Sequence, residues 1–131
     1  MNRISQEWLN AARDDLALIL RILDDAQLTH LVAFHAQQAI EKCLKALLEA
    51  NQDPVPKTHS LNRLFALNSG RIEEPGADII HALDELYIEA RYPGELGLLP
   101  HGKPSLDEAR RFFETAQRML DVVVEAIMPT S

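Results

Sequence analysis

Apolar residues recur at alternating steps of four and three through the last part of the chain, from Ala109 to Ile127. This spacing places them on one stripe of a helix, and such a stripe is stable only when other helices cover it. Ser105 and Glu108 stand where a capping box would open the helix, because each side chain can bond the other residue's backbone N–H. The predicted stripe consists of Ala109, Phe113, Ala116, Leu120, Val123 and Ile127.

The first half of the chain contains two further helical stripes. One helix is predicted over about residues 5–24 with Ser5 as its N-cap, and a second over about residues 29–51, after which prolines end it. The buried stripe of the first consists of Trp8, Leu9, Ala12, Leu16, Ile19, Leu20 and Leu23. That of the second consists of Val32, Ala36, Ile40, Cys43, Leu44 and Leu47.

A short helix and another long one lie between these and the final helix. The short helix is predicted over about residues 60–68, with Ser60 as a candidate cap. The long one begins near Pro75 and ends near Arg91, because Pro93 disfavours a helical conformation in the residue before it. The expected buried residues are Leu61, Leu64 and Phe65, then Ile79, Ile80, Leu83, Leu86 and Tyr87.

These segments together predict the fold class. No strand-like alternation lasts for more than a few residues, and the connections are short enough to favour antiparallel neighbours. The sequence therefore predicts an all-α fold, an up-down antiparallel bundle of four long helices plus one short helix, as a single domain over residues 1–131. Residues 93–104 contain three prolines and three glycines, which is typical of a long functional or mobile loop.

The outer face of the second helix is expected to be polar. It would carry Gln38, Glu41, Lys42, Lys45 and Glu49, with Glu41 and Lys45 as a favourable pair one turn apart. Phe34 falls on the same face, where an exposed aromatic ring indicates a contact surface or has no particular role. Gln37 lies at the edge of the inner stripe, so its amide is expected to hydrogen-bond across the bundle or a subunit interface.

Charge and cysteine content exclude several classes of function. The formal net charge of −7 repels phosphate backbones, which argues against a general nucleic-acid coat and still allows a local basic pocket. The single cysteine, Cys43, forms no intramolecular disulfide, and on a buried stripe its thiol pKa is expected to be raised. No apolar stretch resembles a signal peptide or a membrane span, so we expect a cytoplasmic protein that is not membrane-bound.

Two pairs of side chains stand near enough in sequence to be candidate metal ligands: His30 with His35, and His81 with Glu85. Neither pair has a zinc-like spacing or a third ligand nearby. The sequence also has no Gly-rich phosphate loop, no paired-carboxylate motif and no serine elbow. We therefore predict neither a metal nor a cofactor.

Three stretches of the chain stand in one characteristic order. They are Trp8 with Ala12 and Asp15-Leu16; the run Phe34-His35-Ala36-Gln37-Gln38-Ala39-Ile40-Glu41-Lys42-Cys43-Leu44-Lys45-Ala46-Leu47; and Thr58-His59-Ser60-Leu61 followed by Leu86-Tyr87 and Arg91-Tyr92-Pro93. In this order they resemble the HEPN domain, the family named for nucleotide binding in higher eukaryotes and prokaryotes. The resemblance implies a bundle of four to five helices, commonly a homodimer, in small prokaryotic proteins often encoded beside a minimal nucleotidyltransferase.

The same resemblance raises an enzymatic alternative. Many relatives are metal-independent ribonucleases that act as toxins, and they carry an arginine followed after four to six residues by a histidine. Arg91 matches this arginine, but the next histidine is His101. Nine residues lie between them, and two of the nine are prolines. The sequence departs from the family pattern here, and a Gly/Pro loop rarely supplies the support that a catalytic pair needs.

Four residues are predicted to bind a nucleotide or another anion: Arg91, Tyr92, His59 and Lys45. The resemblance suggests this role for Arg91, although a cation at the end of a helix also interacts favourably with the helix dipole. Tyr92 can stack on a base or pack against the core, and His59 can serve as a cap or turn residue. Lys45 forms a small basic strip with Lys42, for which solvated charges are the common alternative.

Three hypotheses about function follow from the residues and the resemblance. The first is the binding half of a two-component system with a nucleotidyltransferase partner, holding a nucleotide or other anion near Arg91. The second is a ribonuclease that uses Arg91 and His101 across the seam of a homodimer. The third is a ligand-free protein interaction module. The first is favoured over an enzyme.

Overall fold

The computed structural model describes residues 2–88, 98 and 102–128, apart from the side chains of Tyr87 and Ile88. Within that part the regular structure consists of five helices: α1 (Arg3–Ile22), α2 (Thr29–Ala50), α3 (Leu61–Leu67), α4 (Ala77–Ile88) and α5 (Leu106–Ile127). The all-α fold of four long helices and one short helix is confirmed. None of the described helices combines the length and the apolar run that a membrane crossing needs.

The start of α1 differs from the sequence-based expectation. Asn2 is the N-cap, and its side-chain oxygen accepts a hydrogen bond from the Ser5 backbone N–H at 2.8 Å. The prediction of Ser5 as the cap was wrong, because asparagine caps as well as serine and starts the helix earlier. Ser5 is instead buried, and its hydroxyl donates to the Ala46 carbonyl of α2 at 2.9 Å.

The apolar stripe of α1 is narrower than expected. Leu9, Ala12 and Ile19 are fully buried, as predicted, and they belong to the core shared by all five helices. Leu20 is 61% exposed, so its assignment to the stripe was wrong. One residue turns a helix by about 100°, which carries the side chain after Ile19 out of the packed sector.

α2 is the central helix and contacts all four of the others. Its predicted buried stripe is confirmed, but the predicted outer polar face is wrong for two of its members. Glu41 and Lys45 are only 4% and 6% exposed, whereas Gln38, Lys42 and Glu49 are half-buried. Phe34 is half-buried too, with its ring edge-on to His35. A helix packed on several sides buries polar positions that its own periodicity assigns to solvent.

The last two helices follow the predicted stripes closely. In α4, Ile79, Ile80, Leu83 and Leu86 are buried as predicted; the Tyr87 side chain and the predicted end near Arg91 lie outside the described residues. In α5 the capping box of Ser105 and Glu108 is confirmed. The predicted stripe residues Ala109, Ala116, Leu120 and Val123 are buried. Phe112 occupies the buried position that was expected for Phe113, which is half-buried.

Candidate functional site

A buried carboxylate on α2 joins two of the predicted site residues. Glu41 Oε2 lies 3.1 Å from Lys45 Nζ, and Glu41 Oε1 lies 2.9 Å from His59 Nδ1. The Lys45 ammonium also lies 5.4 Å from the centre of the Trp8 ring, a cation–π contact. We call Glu41, Lys45 and His59 the Glu41 cluster. The ammonium therefore compensates the negative charge of the carboxylate inside the bundle, and the His59 ring satisfies its other oxygen.

The segment that carries His59 is held by a second contact from α2. Gln37 is fully buried, and its amide donates to the His59 carbonyl at 3.1 Å. Gln38 in turn donates to the Gln37 side-chain oxygen at 2.7 Å. The expected hydrogen bond of Gln37 is present, but its acceptor lies in the linker before α3 rather than across the bundle or at a subunit interface. The backbone and the ring of His59 are both fixed to α2, while 48% of its side chain stays exposed to solvent.

A second carboxylate on α1 is arranged in the same way. Asp15 Oδ1 lies 3.0 Å from His35 Nδ1, and Asp15 Oδ2 lies 2.7 Å from Lys42 Nζ. We call these three residues the Asp15 cluster. Sequence reasoning noted Asp15 only as part of the resemblance and assigned it no partner. The available signal was its position beside Leu16, at the edge of a stripe that packs against α2.

A third carboxylate ties α4 to the start of α3. Asp84 is buried and accepts hydrogen bonds from the backbone N–H groups of Leu61 and Asn62, and from the Asn62 side chain at 2.8 Å. Ser60 is the N-cap of α3, as expected, and accepts from the Arg63 N–H. Asp84 carries no signal in the sequence, since its partners lie more than twenty residues away. It fixes α4 next to the segment that contains His59.

Of the four predicted anion-binding residues, the structure describes two, His59 and Lys45. His59 and Lys45 are brought together on Glu41, so the lysine charge faces a carboxylate rather than open solvent. Arg91 and Tyr92 lie outside the described residues, as does His101, the histidine of the ribonuclease alternative. A role in anion binding stays a prediction for all of them.

The remaining candidate groups have limited chemistry. Burial raises the pKa of the Cys43 thiol to about 12, so the group is protonated at neutral pH and is a poor nucleophile. In the described part of the chain, no group of three or more histidine, cysteine or acidic side chains is placed to hold a metal ion. His81 and Glu85 form an exposed pair 3.0 Å apart on the surface of α4.

Known proteins share this architecture. The family model described as HEPN domain matches residues 5–127. The crystal structure of TT1696 from Thermus thermophilus is similar with a TM-score of 0.75 and 30% identity, over 96% of this chain and 99% of that chain. ST0689, an archaeal HEPN homologue, gives a TM-score of 0.66 and 23% identity, over 97% of this chain and 99% of that chain. The second likeness concerns the fold alone. No curated protein matches the chain.

Proposed function

This chain belongs to the HEPN domain family, and we propose that it is the binding half of a two-component system whose other half is a minimal nucleotidyltransferase. In this proposal the protein forms a homodimer and binds a nucleotide or other anion next to Arg91. Tyr92 stacks on the ligand, and His59 and Lys45 complete the site. The lone buried Cys43 is compatible with a reducing compartment, and in this proposal the system is cytoplasmic.

The observation that supports a shared site is the link between His59 and α4. Asp84 binds the first residues of α3, which begin two positions after His59. Ile88 follows Asp84 by four residues, about 6 Å along a helix. Arg91 follows Ile88 by three residues, a distance that the chain spans with at most about 11 Å. The described end of α4, three residues before Arg91, therefore lies close to the start of α3 and to His59.

The Glu41 cluster gives its members different roles in the proposed site. Lys45 is buried, so it acts through Glu41 by holding the carboxylate that orients the His59 ring. His59 has about half of its side chain at the surface, where a ligand can reach the ring. A guanidinium such as that of Arg91 supplies the paired donors that a phosphate or carboxylate prefers.

Nucleotide binding is tested with ATP and three proteins: the wild type, Arg91→Ala and the control Arg21→Ala, which removes an exposed arginine of α1. We expect millimolar ATP to raise the melting temperature of the wild type and of Arg21→Ala, because a ligand of the folded state stabilises it by mass action. Arg91→Ala should lose the rise. If ATP changes the melting temperature of all three proteins equally, Arg91 does not contribute to ATP binding.

The same proteins separate binding from catalysis. RNA incubated with the wild type in EDTA should remain intact if the chain is a binding module. If the wild type cleaves the RNA, and both Arg91→Ala and His101→Ala abolish the cleavage, the protein is a ribonuclease and our proposal is wrong. For the partner, we expect a nucleotidyltransferase encoded in the neighbouring reading frame to co-purify with this protein. Elution of the two proteins as separate species would contradict the two-component system.

A further inference from the structure

An open cavity of about 490 Å³ lies between the end of α2, the linker that follows it and α3. Its volume is within the range of small-molecule sites. Most of the lining is apolar and comes from Leu48, Val55, Leu67 and the two prolines on either side of Val55. Leu67 is 44% exposed. We call this cavity the α2–α3 groove.

The backbone turn that ends α2 builds one wall of the groove. Gln52 has a positive φ of 61° and donates its N–H to the Glu49 carbonyl, while the Asp53 N–H reaches back to the Leu48 carbonyl at 3.0 Å. This pair of bonds is the Schellman arrangement, which closes a helix and redirects the chain. The turn delivers the Asp53 carboxylate to Arg71, with their nearest atoms 2.5 Å apart.

The two arginines of the groove are held differently. Arg71 is fixed by Asp53 and by a hydrogen bond to the Asn68 side-chain oxygen at 3.1 Å. The side chain of Arg63 is exposed, and it makes no hydrogen bond or ion pair with any residue that the structure describes. With Asp53 neutralising Arg71, the groove keeps one positive charge at Arg63, although the whole chain carries −7.

We propose that the α2–α3 groove binds a carboxylate that carries an aliphatic chain. The carboxylate pairs with the Arg63 guanidinium, whose two parallel N–H groups match its two oxygens. The aliphatic chain covers Leu48, Val55 and Leu67 and removes them from water. No described lining residue is a serine, threonine or asparagine, so the polar side chains of the groove are those of Asp53, Arg63 and Arg71.

A free aliphatic acid and the C-terminal residue of a peptide present the same chemistry, and both sources fit the groove. The site shares no residue with the proposed nucleotide site, and its existence does not depend on that proposal. The test is calorimetric titration of the full chain with sodium octanoate, with octan-1-ol as the uncharged counterpart. Acetyl-Ala-Leu and its C-terminal amide form the second, peptide arm.

We expect octanoate to bind about tenfold more tightly than octan-1-ol, because a charge-assisted hydrogen bond should add about 1.4 kcal/mol, which corresponds to a factor of ten. Arg63→Gln should lose about the same factor, and Leu67→Asn should weaken octanoate through lost apolar contact. Arg21→Gln, which changes an arginine of α1, should bind like the wild type. Acetyl-Ala-Leu binding more tightly than octanoate would identify the source as a peptide end, and the reverse as a free acid.

Three results would overturn the proposal. They are equal affinity for octanoate and octan-1-ol, unchanged affinity of folded Arg63→Gln, and no binding of either carboxylate at about 10 mM. Circular dichroism establishes that each variant is folded before the titration. If Arg63→Gln does not fold, Leu67→Asn decides the question, since octanoate affinity equal to that of the wild type would also reject the groove.

Discussion

Asp15 and Glu41 each contact one lysine ammonium and one histidine Nδ1. The two carboxylates nevertheless connect different parts of the molecule. The Asp15 cluster joins two helices, α1 and α2, at their shared surface. The Glu41 cluster draws both of its charged residues from α2 and takes its histidine from the linker before α3. The first therefore fastens two regular elements to each other, and the second fastens an irregular segment to the core.

The two clusters also differ in their access to water. In the Asp15 cluster the side chains of His35 and Lys42 are 23% and 24% exposed, so both can turn towards solvent. In the Glu41 cluster the lysine is buried, with its ammonium over the Trp8 ring, and cannot turn towards solvent without unpacking. The same chemistry should therefore contribute unequally to stability, since an uncompensated charge is costly only where water is excluded.

The largest expected effect comes from Glu41→Gln. This change leaves the buried Lys45 ammonium without its carboxylate, and breaking such a pair costs about 3–5 kcal/mol of the free energy of unfolding. Urea denaturation followed by circular dichroism measures the loss. Glu49→Gln, at a half-buried position further along α2, serves as the control and should change the free energy by less than about 0.5 kcal/mol.

A double variant separates the charge effect from the loss of packing. Glu41→Leu combined with Lys45→Met removes both charges and fills each position with an apolar side chain of broadly similar volume. We expect it to recover most of the stability lost in Glu41→Gln, because replacing a whole buried pair by apolar groups is often neutral or stabilising. A double variant no more stable than Glu41→Gln would show that the pair contributes through its geometry.

The effect of Asp15→Asn should be smaller, about 1–2 kcal/mol, because Lys42 and His35 can be solvated in place of their lost partner. Lys42→Gln, alone and combined with Asp15→Asn, completes a thermodynamic cycle whose coupling energy we expect near 1 kcal/mol. A loss as large as that of Glu41→Gln would contradict the proposed difference between the clusters.

The clusters show why the fold could be predicted from the sequence more fully than the site. α5 packs one face on the core, so its apolar stripe and its capping box identify it without tertiary information. α2 is covered from several sides, and its periodicity therefore misplaced Glu41 and Lys45, although their pairing was predicted correctly. That His59 shares their carboxylate depends on the linker folding back onto α2, which no local pattern encodes.

The start of that linker offers a stabilising change. Gln52 adopts a left-handed conformation that costs most residues about 1–2 kcal/mol, whereas glycine adopts it freely. Glycine also loses more conformational entropy on folding, which offsets part of this gain. The net effect of Gln52→Gly should be a rise of about 0.5–1 kcal/mol in the free energy of unfolding. Asn51→Gly is the matched control: its φ is −94°, and it would lose the side-chain bond to the Leu47 carbonyl, so it should destabilise.

The smallest expected effect concerns His30, near the start of α2. His35 and His59 each lie beside a carboxylate, whereas the charged group near His30 is the ammonium of Lys103. Burial and the charge of Lys103 lower the pKa of His30 below its ordinary value of 6.5. The unfolded chain then binds the proton more readily than the folded one, so this contribution to stability is present above pH 6.5 and is lost as the pH falls below it. His30→Gln should therefore lose less stability than the wild type between about pH 7.5 and pH 5.5.

Lys103→Gln sharpens this prediction, because it removes one cause of the shift and leaves burial in place. The NMR titration of the His30 ring should give a midpoint below 6.5 in the wild type and a higher one in Lys103→Gln. A wild-type midpoint at or above 6.5 would contradict the account.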